Sequence, residues 1–175
     1  SLIGGGADAK PGIISLAHNG VLYLDEMPEY PRSVLEALRQ PLEDRVIAVA
    51  RSKTYAVYPA SFMLCGSMNP CPCGNYGVKN AQCTCTASQI IKYRARISAP
   101  LLDRIDLQIE VEGVKYDDLS ATDLEESSEI VRQRVNRTRE IQRKRFEGEN
   151  VKTNAEMNEK LIRKYCVLSP ECNEI

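Results

Sequence analysis

Apolar and polar residues fall along this chain in blocks whose lengths and spacing predict alternating strands and helices. Gly20 is followed by Val21, Leu22, Tyr23 and Leu24, an apolar run that stops abruptly at Asp25 and Glu26. Such a run predicts a strand buried on both faces, as in the parallel sheets of α/β proteins. Upstream, residues 13–18 predict a short helix stopped by Asn19-Gly20. Downstream, Pro31-Arg32-Ser33 opens a second helix with Val34, Leu35, Leu38 and Leu42 on one face. Pro31 suits the first turn, and Pro41 is expected to end or distort the helix. Residues 46–58 alternate as Val46, Ala48 and Ala50, then Tyr55 and Val57, on either side of Arg51-Ser52-Lys53-Thr54. That is a β-hairpin with a basic tip. Residues 62–67 predict a second buried strand ending at Met68-Asn69-Pro70. A basic helix over 87–96, a helical turn over 98–104 and a third strand over 105–111 complete an α/β pattern.

After Gly113 the character changes. Residues 116–122 are a polar linker, and Thr122-x-x-Glu125 reads as a capping box that opens a long helix to about Phe146. Its early turns carry Glu125, Glu126 and Glu129; its later turns carry Arg132, Arg134, Arg137, Arg139, Arg143, Lys144 and Arg145, the order that complements the helix dipole. Gly148 stops this helix, and another is predicted over 154–166.

Composition narrows the function classes. The 175 residues are 43% apolar and 27% charged, ordinary for a globular protein. A formal net charge of −1 gives no global field favouring nucleic acid or an anionic membrane. No apolar stretch is long enough to span a bilayer. The chain starts at Ser1 without an initiator Met or a signal-peptide pattern, as expected of an interior piece of a longer polypeptide. Seven cysteines in a chain rich in Lys and Glu point to metal binding more than to a disulfide framework, and to a cytoplasmic location.

Two groups of residues carry candidate chemistry. Adjacent carboxylates at the end of a buried strand suit phosphoryl transfer, where the first acid, Asp25, holds a magnesium shell and the second, Glu26, polarises the attacking water. Taken alone, the same pair also fits an ordinary strand cap. Cys71-Pro72-Cys73 and Cys83-Thr84-Cys85 form C-x-C…C-x-C around a loop containing Gly74, Asn75 and Gly77. Four thiolates there suffice for a tetrahedral Zn2+ site; the alternatives are four reduced thiols or two adventitious disulfides. Cys65, Cys166 and Cys172 read as buried or incidental. His18, the one histidine, reads as structural. The arginine run of the long helix reads as a solvated face, with nucleic-acid contact as the alternative.

Several segments together carry a family resemblance. They are Ser1-Leu2-Ile3-Gly4-Gly5-Gly6, Ile14-Ser15-Leu16-Ala17-His18-Asn19-Gly20, Leu24-Asp25-Glu26-Met27-Pro28-Glu29-Tyr30, Met68-Asn69-Pro70-Cys71-Pro72-Cys73-Gly74 and Pro100-Leu101-Leu102-Asp103-Arg104-Ile105-Asp106. In order and spacing the chain resembles the Mg-chelatase-like AAA+ ATPases of the ComM/YifB kind, relatives of the magnesium chelatase ATPase subunit and of MCM helicases. The resemblance implies an α/β AAA+ P-loop NTPase core, a parallel sheet with flanking helices, over residues 1–113. That part includes the hairpin 46–58 and the cysteine-rich loop 70–86. Residues 114–175 would be a linker and the start of a helical lid. It further implies ATP and Mg2+ as cofactors, Asp25 and Glu26 as Walker B, Asn69 as the sensor 1 amide that orients water at the γ-phosphate, and Arg104 as an arginine finger acting on the next subunit's nucleotide. The hairpin would face a central pore, making Arg51 and Lys53 candidate DNA contacts.

The sequence departs from the family pattern in two places. No G-x-x-x-x-G-K-[ST] occurs in it, and Gly4-Gly5-Gly6 lacks the following Gly-Lys. It also stops before the helix on which the family carries its sensor 2 arginine. The expectation is an interior part of a ring-forming ATPase, most simply a hexamer, that moves DNA in recombination, branch migration or transformation, this part alone being inactive. The alternatives are a chelatase motor that remodels a protein partner during magnesium insertion into a porphyrin, and a non-catalytic binding module.

Overall fold

A computed structural model of the protein describes residues 2–6, 8–50, 54–79, 81–111 and 126–173. The chain divides into two compact units, Ser1–Val114 and Lys115–Ile175. The first begins with an antiparallel ribbon of β1 (Gly4–Gly5) and β2 (Lys10–Pro11), then helix α1 (Ile13–Leu16). Gly12 lies so close to the incoming chain that a Cβ there would sit 2.3 Å from Gly4 N, so only glycine lets the two segments cross. Asn19 takes a left-handed φ of 61° and turns the chain into β3 (Val21–Leu24). A 3-10 turn (Met27–Glu29), α2 (Arg32–Glu36), α3 (Arg39–Asp44) and the hairpin of β4 (Val46–Ala50) and β5 (Tyr55–Pro59) lead to β6 (Met63–Gly66). Then come the cysteine-rich loop, α4 (Ala87–Arg94) and α5 (Ala99–Leu102).

β3 and β6 pair in parallel with Val21 opposite Met63 and Leu24 opposite Gly66, and the intervening helices and hairpin form the crossover that parallel pairing requires. β4 and β5 pair antiparallel from Val46–Pro59 to Ala50–Tyr55. The core is built from Ile14, Leu22, Leu24, Met27, Leu35, Leu38, Ile47, Ala60, Ile97 and Leu101.

Several sequence expectations are corrected, among them the buried strand over 62–67: β6 leaves Met63, Cys65 and Gly66 exposed. β3 is not buried on both faces: Leu22 and Leu24 are 5% and 2% exposed, but Val21 and Tyr23 are 58% and 57% exposed. Only the Leu22/Leu24 side of the β3–β6 pair meets the core helices, so burial alternates with the pleat. The helix opening at Pro31 is interrupted, as Pro41 leads one to expect, but at Ala37–Leu38, giving α2 and α3. Pro41 lacks an N–H and its ring crowds the carbonyl four residues back, which places the break upstream of the proline, now in the first turn of α3. Residues 105–111 form no strand in any described sheet. Leu107, Ile109 and Val111 stay about four-fifths exposed at period two, because an apolar alternation becomes a strand only where a neighbour supplies backbone partners. The long helix of the second unit, α6 (Ser128–Arg145), starts later than expected: Ser127 is its N-cap, accepting from Ile130 N, while Thr122 and Glu125 lie outside the described residues.

In that second unit Arg134 forks onto Glu126 at 2.7 and 2.9 Å. Gly148, at φ 82°, turns the chain after α6. A 3-10 turn (Asn154–Glu156) and α7 (Glu159–Tyr165) replace the single helix expected over 154–166. Phe146 is buried edge-on against Tyr165, ring centroids 5.4 Å apart, and Lys164 reaches Glu149 at 2.7 Å, holding that carboxyl below its ordinary pKa. Among the described residues no helix is long and apolar enough to cross a membrane.

Candidate functional site

Parallel pairing of β3 and β6 brings the C-terminal ends of both strands side by side, the edge at which open α/β sheets bind ligands. Asp25 and Glu26 leave β3 there. Asp25 Oδ1 accepts hydrogen bonds from the Ser67 hydroxyl at 2.5 Å and the Tyr23 hydroxyl at 3.2 Å. These bonds, Ser67 first and Tyr23 second, lower the Asp25 pKa below the ordinary aspartate value, so the carboxylate is charged at neutral pH. Both side-chain donors use Oδ1, leaving Oδ2 without a side-chain donor among the described residues.

Glu26 sits in the left-handed region at φ 49°, ψ 50°. For a residue with a Cβ that conformation costs roughly 1–2 kcal/mol and persists only where neighbours enforce it. Here Glu26 N donates to Ser67 Oγ at 3.1 Å, Met27 N to Ser67 O at 2.9 Å, and Ser67 N to Leu24 O at 3.0 Å. Ser67 thus laces the two strand ends together and fixes both acids. The Glu26 carboxylate is exposed and makes no hydrogen bond or ion pair among the described residues.

Asn69 lies just past β6, exposed; nearby Tyr93 is buried, and burial raises the pKa of its phenol. Arg104, at the end of α5, pairs with Glu43 of α3 at 2.9 Å and not with the acids at the end of β3. The structure therefore brings Asp25, Glu26 and Asn69 to neighbouring strand ends and places Arg104 in a separate ion pair. Arg51 and Lys53 lie outside the described residues. His18 Nδ1 accepts from Ser61 N at 3.1 Å, tying the turn before β3 to the approach to β6.

The second cluster follows Asn69 directly. Sγ of Cys71 lies 3.4 Å from that of Cys73 and 3.8 Å from that of Cys83, with Cys73 and Cys83 3.7 Å apart. All four thiols, Cys85 included, fall within 4.8 Å of one another. Backbone N–H groups of Asn75 and then Thr84 hold Cys73 as a thiolate with a pKa of about 5. Burial, with neighbouring thiols adding to it, pushes Cys85 up to about 12. The pKa of Cys71 is also lowered, while that of Cys83 is raised, so at least one thiolate lies among close sulfurs, a nucleus for cation capture.

Ser67 and Tyr93 were missed from sequence. The only available signals were a hydroxyl at the end of a strand and an aromatic on a basic helix, both common elsewhere.

The family model described as "Magnesium chelatase, subunit ChlI" matches residues 1–119, and "Magnesium chelatase, subunit ChlI C-terminal" matches residues 125–175. The chain is 45% identical over 172 residues to the uncharacterized protein YifB of Escherichia coli (strain K12), covering 98% of this chain and 33% of that protein. It is 46% identical over 171 residues to the competence protein ComM of Haemophilus influenzae, covering 97% of this chain and 32% of ComM. A shorter stretch of 70 residues is 31% identical to the magnesium-chelatase 67 kDa subunit of Chlorobaculum parvum, 40% of this chain and 11% of that one. The chain thus spans about a third of the length of YifB and ComM.

Proposed function

This chain belongs to the magnesium chelatase ChlI family, in its ComM/YifB branch, and from that premise we propose that it carries the hydrolytic half of an ATP-driven AAA+ motor acting on DNA. The observation that carries the reading is the pair Asp25-Glu26 held beside Asn69 at adjacent ends of two parallel strands. Bound ATP with Mg2+ would supply the scissile phosphoanhydride and its charge neutralisation. The residues fit that group in part: Asp25 is ionised and would hold the magnesium through its water shell, and Glu26 is an exposed carboxylate in a strained, fixed backbone position. Glu26 takes the proton of the attacking water, and the Asn69 amide orients that water. Nothing in the 175 residues supplies a phosphate-cradling Gly-Lys loop, so that role falls to other parts of the protein.

Arg104 acts across a subunit boundary in this reading. It would leave Glu43 and meet charge developing on a neighbour's nucleotide, in a ring that we take to be a hexamer. The hairpin tip, Arg51 and Lys53, would follow a phosphate backbone without reading sequence. Residues 1–113 are then the later part of the AAA+ core, and residues 114–175 the start of its lid. The four cysteines would hold one Zn2+: at a Zn–S distance near 2.3 Å the edges of a tetrahedron are about 3.8 Å, close to the 3.4, 3.8 and 3.7 Å among Cys71, Cys73 and Cys83, with all four sulfurs, Cys85 included, within 4.8 Å of one another.

A second reading, a motor that remodels a protein partner for magnesium insertion into a porphyrin, draws on the shorter match to the magnesium-chelatase 67 kDa subunit. ATP turnover by the full-length protein, with and without DNA, separates the two. DNA-stimulated turnover that Glu26→Gln abolishes supports the first; turnover indifferent to DNA favours the second; no turnover sinks both.

A further inference from the structure

α4 touches three parts of the candidate site at once. It starts directly after the cysteine loop: Thr86, the residue next to Cys85, caps it and closes a capping box with Gln89. At its far end Tyr93 is 5% exposed, anchoring the helix in the core beside the end of β6. Arg94 Nε donates to the Pro70 carbonyl at 3.2 Å, and its guanidinium lies 5.3 Å from the ring centroid of Tyr76, inside the cysteine loop. Two residues past the end of α4, Arg96 Nη1 donates to the Pro28 carbonyl at 3.1 Å and to Glu29 at 2.9 Å, in the turn directly after Asp25-Glu26.

Surface arginines usually serve solubility, and an exposed Arg–Glu pair contributes little by itself. These two instead bond main-chain carbonyls on either side of the site. Chain connectivity tightens the arrangement. One residue, Pro70, separates Asn69 from Cys71, and one residue, Thr86, separates Cys85 from α4. Whatever draws the four sulfurs together therefore fixes Asn69 at one end and the start of α4 at the other.

We propose that α4 couples the four-cysteine loop to the reaction centre, so that a metal ion on the thiolates sets the positions of Asn69 and of the turn after Glu26, with Arg94 and Arg96 as positioning residues. This rests on the reading of Asn69 and Glu26 as hydrolytic residues and of the cysteines as a zinc site. Metal loss frees Cys71 and Cys85, loosens Asn69 and α4 together, and slows turnover without abolishing nucleotide binding.

The test uses the full-length protein and two independent readouts. In amide hydrogen exchange, removing zinc with a chelator, or substituting Arg94→Ala with zinc retained, is expected to speed exchange at Ser67 and Met27, whose N–H groups bond Leu24 O and Ser67 O beside Asn69 and Glu26, by about tenfold or more, the scale of one lost hydrogen bond. In kinetics, Arg96→Ala is expected to lower kcat about tenfold with KM for ATP and zinc content unchanged, and Arg96→Lys to recover part of the loss, since an ammonium still reaches one carbonyl. Unchanged exchange after zinc removal, or an unchanged kcat in Arg96→Ala, overturns the coupling. So does a protein that holds no zinc. A wild-type protein that shows the exchange response but no ATP turnover refutes the hydrolytic reading and still supports the mechanical link from cysteines to Asn69.

Discussion

Gly66→Ala tests how tightly the two strand ends are packed. A Cβ at Gly66 would lie 2.1 Å from Met27 Sδ and 2.9 Å from Met27 Cγ. Ordinary contact is about 3.5–4.0 Å, so the thioether must retreat by roughly 1.5 Å. Met27 is 3% exposed and belongs to the core, which leaves little room for that movement. Overpacking of this kind costs about 1–3 kcal/mol, and replacing a strand glycine by alanine returns about 0.5–1 kcal/mol of chain entropy and propensity. The expected net loss is about 1 kcal/mol. Met27→Ala removes the obstructing atoms, and in that background Gly66→Ala is expected to be neutral or stabilising by about 0.5 kcal/mol. The coupling between the two positions is then about 1.5 kcal/mol, above the roughly 0.5 kcal/mol typical of independent sites. Urea unfolding of the four proteins of the cycle, followed by far-ultraviolet circular dichroism, measures it. Equal effects of Gly66→Ala in both backgrounds would show that β6 does not press on Met27, and that the turn holding Glu26 is not braced as described.

Three further predictions concern chemistry. Zinc binding is expected at one ion per chain, with affinity rising with pH across the neutral range: Cys73 is already ionised above about 5 and adds no pH dependence there, whereas Cys85, with a pKa of about 12, must give up its proton. Calorimetry in buffers of different ionisation enthalpy should show at least one proton released per zinc; release of none contradicts the ligand set. In the full-length protein Arg51→Ala with Lys53→Ala should reduce the slope of log affinity for DNA against log salt by about 2 per engaged subunit, and an unchanged slope removes the hairpin tip from the interface. The 175-residue chain alone is expected to bind ATP at roughly millimolar affinity or weaker, because it contains no Gly-Lys phosphate loop. Micromolar binding by calorimetry would refute that.

The β3–β6 edge was legible because its signal is local: an apolar run, a sharp stop, two acids, and a second apolar run ending at Asn69. The cysteine cluster was legible for the same reason, four thiols at short spacing. What escaped depends on partners distant in sequence. Ser67 fixes Asp25 and Glu26 from 42 and 41 residues away. The exposed face of β3 reflects which side of a two-stranded sheet the helices cover, and no run of apolar residues specifies that. Residues 105–111 carry a strand pattern, yet pattern fixes only which face is apolar and cannot supply an edge to pair with. Pro41 announces a disruption of the helix but not its position: the backbone carbonyl that the ring crowds is four residues earlier, so the break falls at Ala37–Leu38.

A mixing experiment tests the central claim most directly. Full-length Glu26→Gln and Arg104→Ala proteins are each expected to have lost nearly all ATP turnover, the first for want of a base and the second for want of charge supplied in trans. In rings assembled from equal amounts of both, about a quarter of the interfaces join an intact Glu26 to an intact Arg104 of the neighbour, so turnover should return to about a quarter of the wild-type value. No recovery on mixing, or wild-type turnover in either variant alone, would contradict a motor whose site is shared between Glu26 of one subunit and Arg104 of the next.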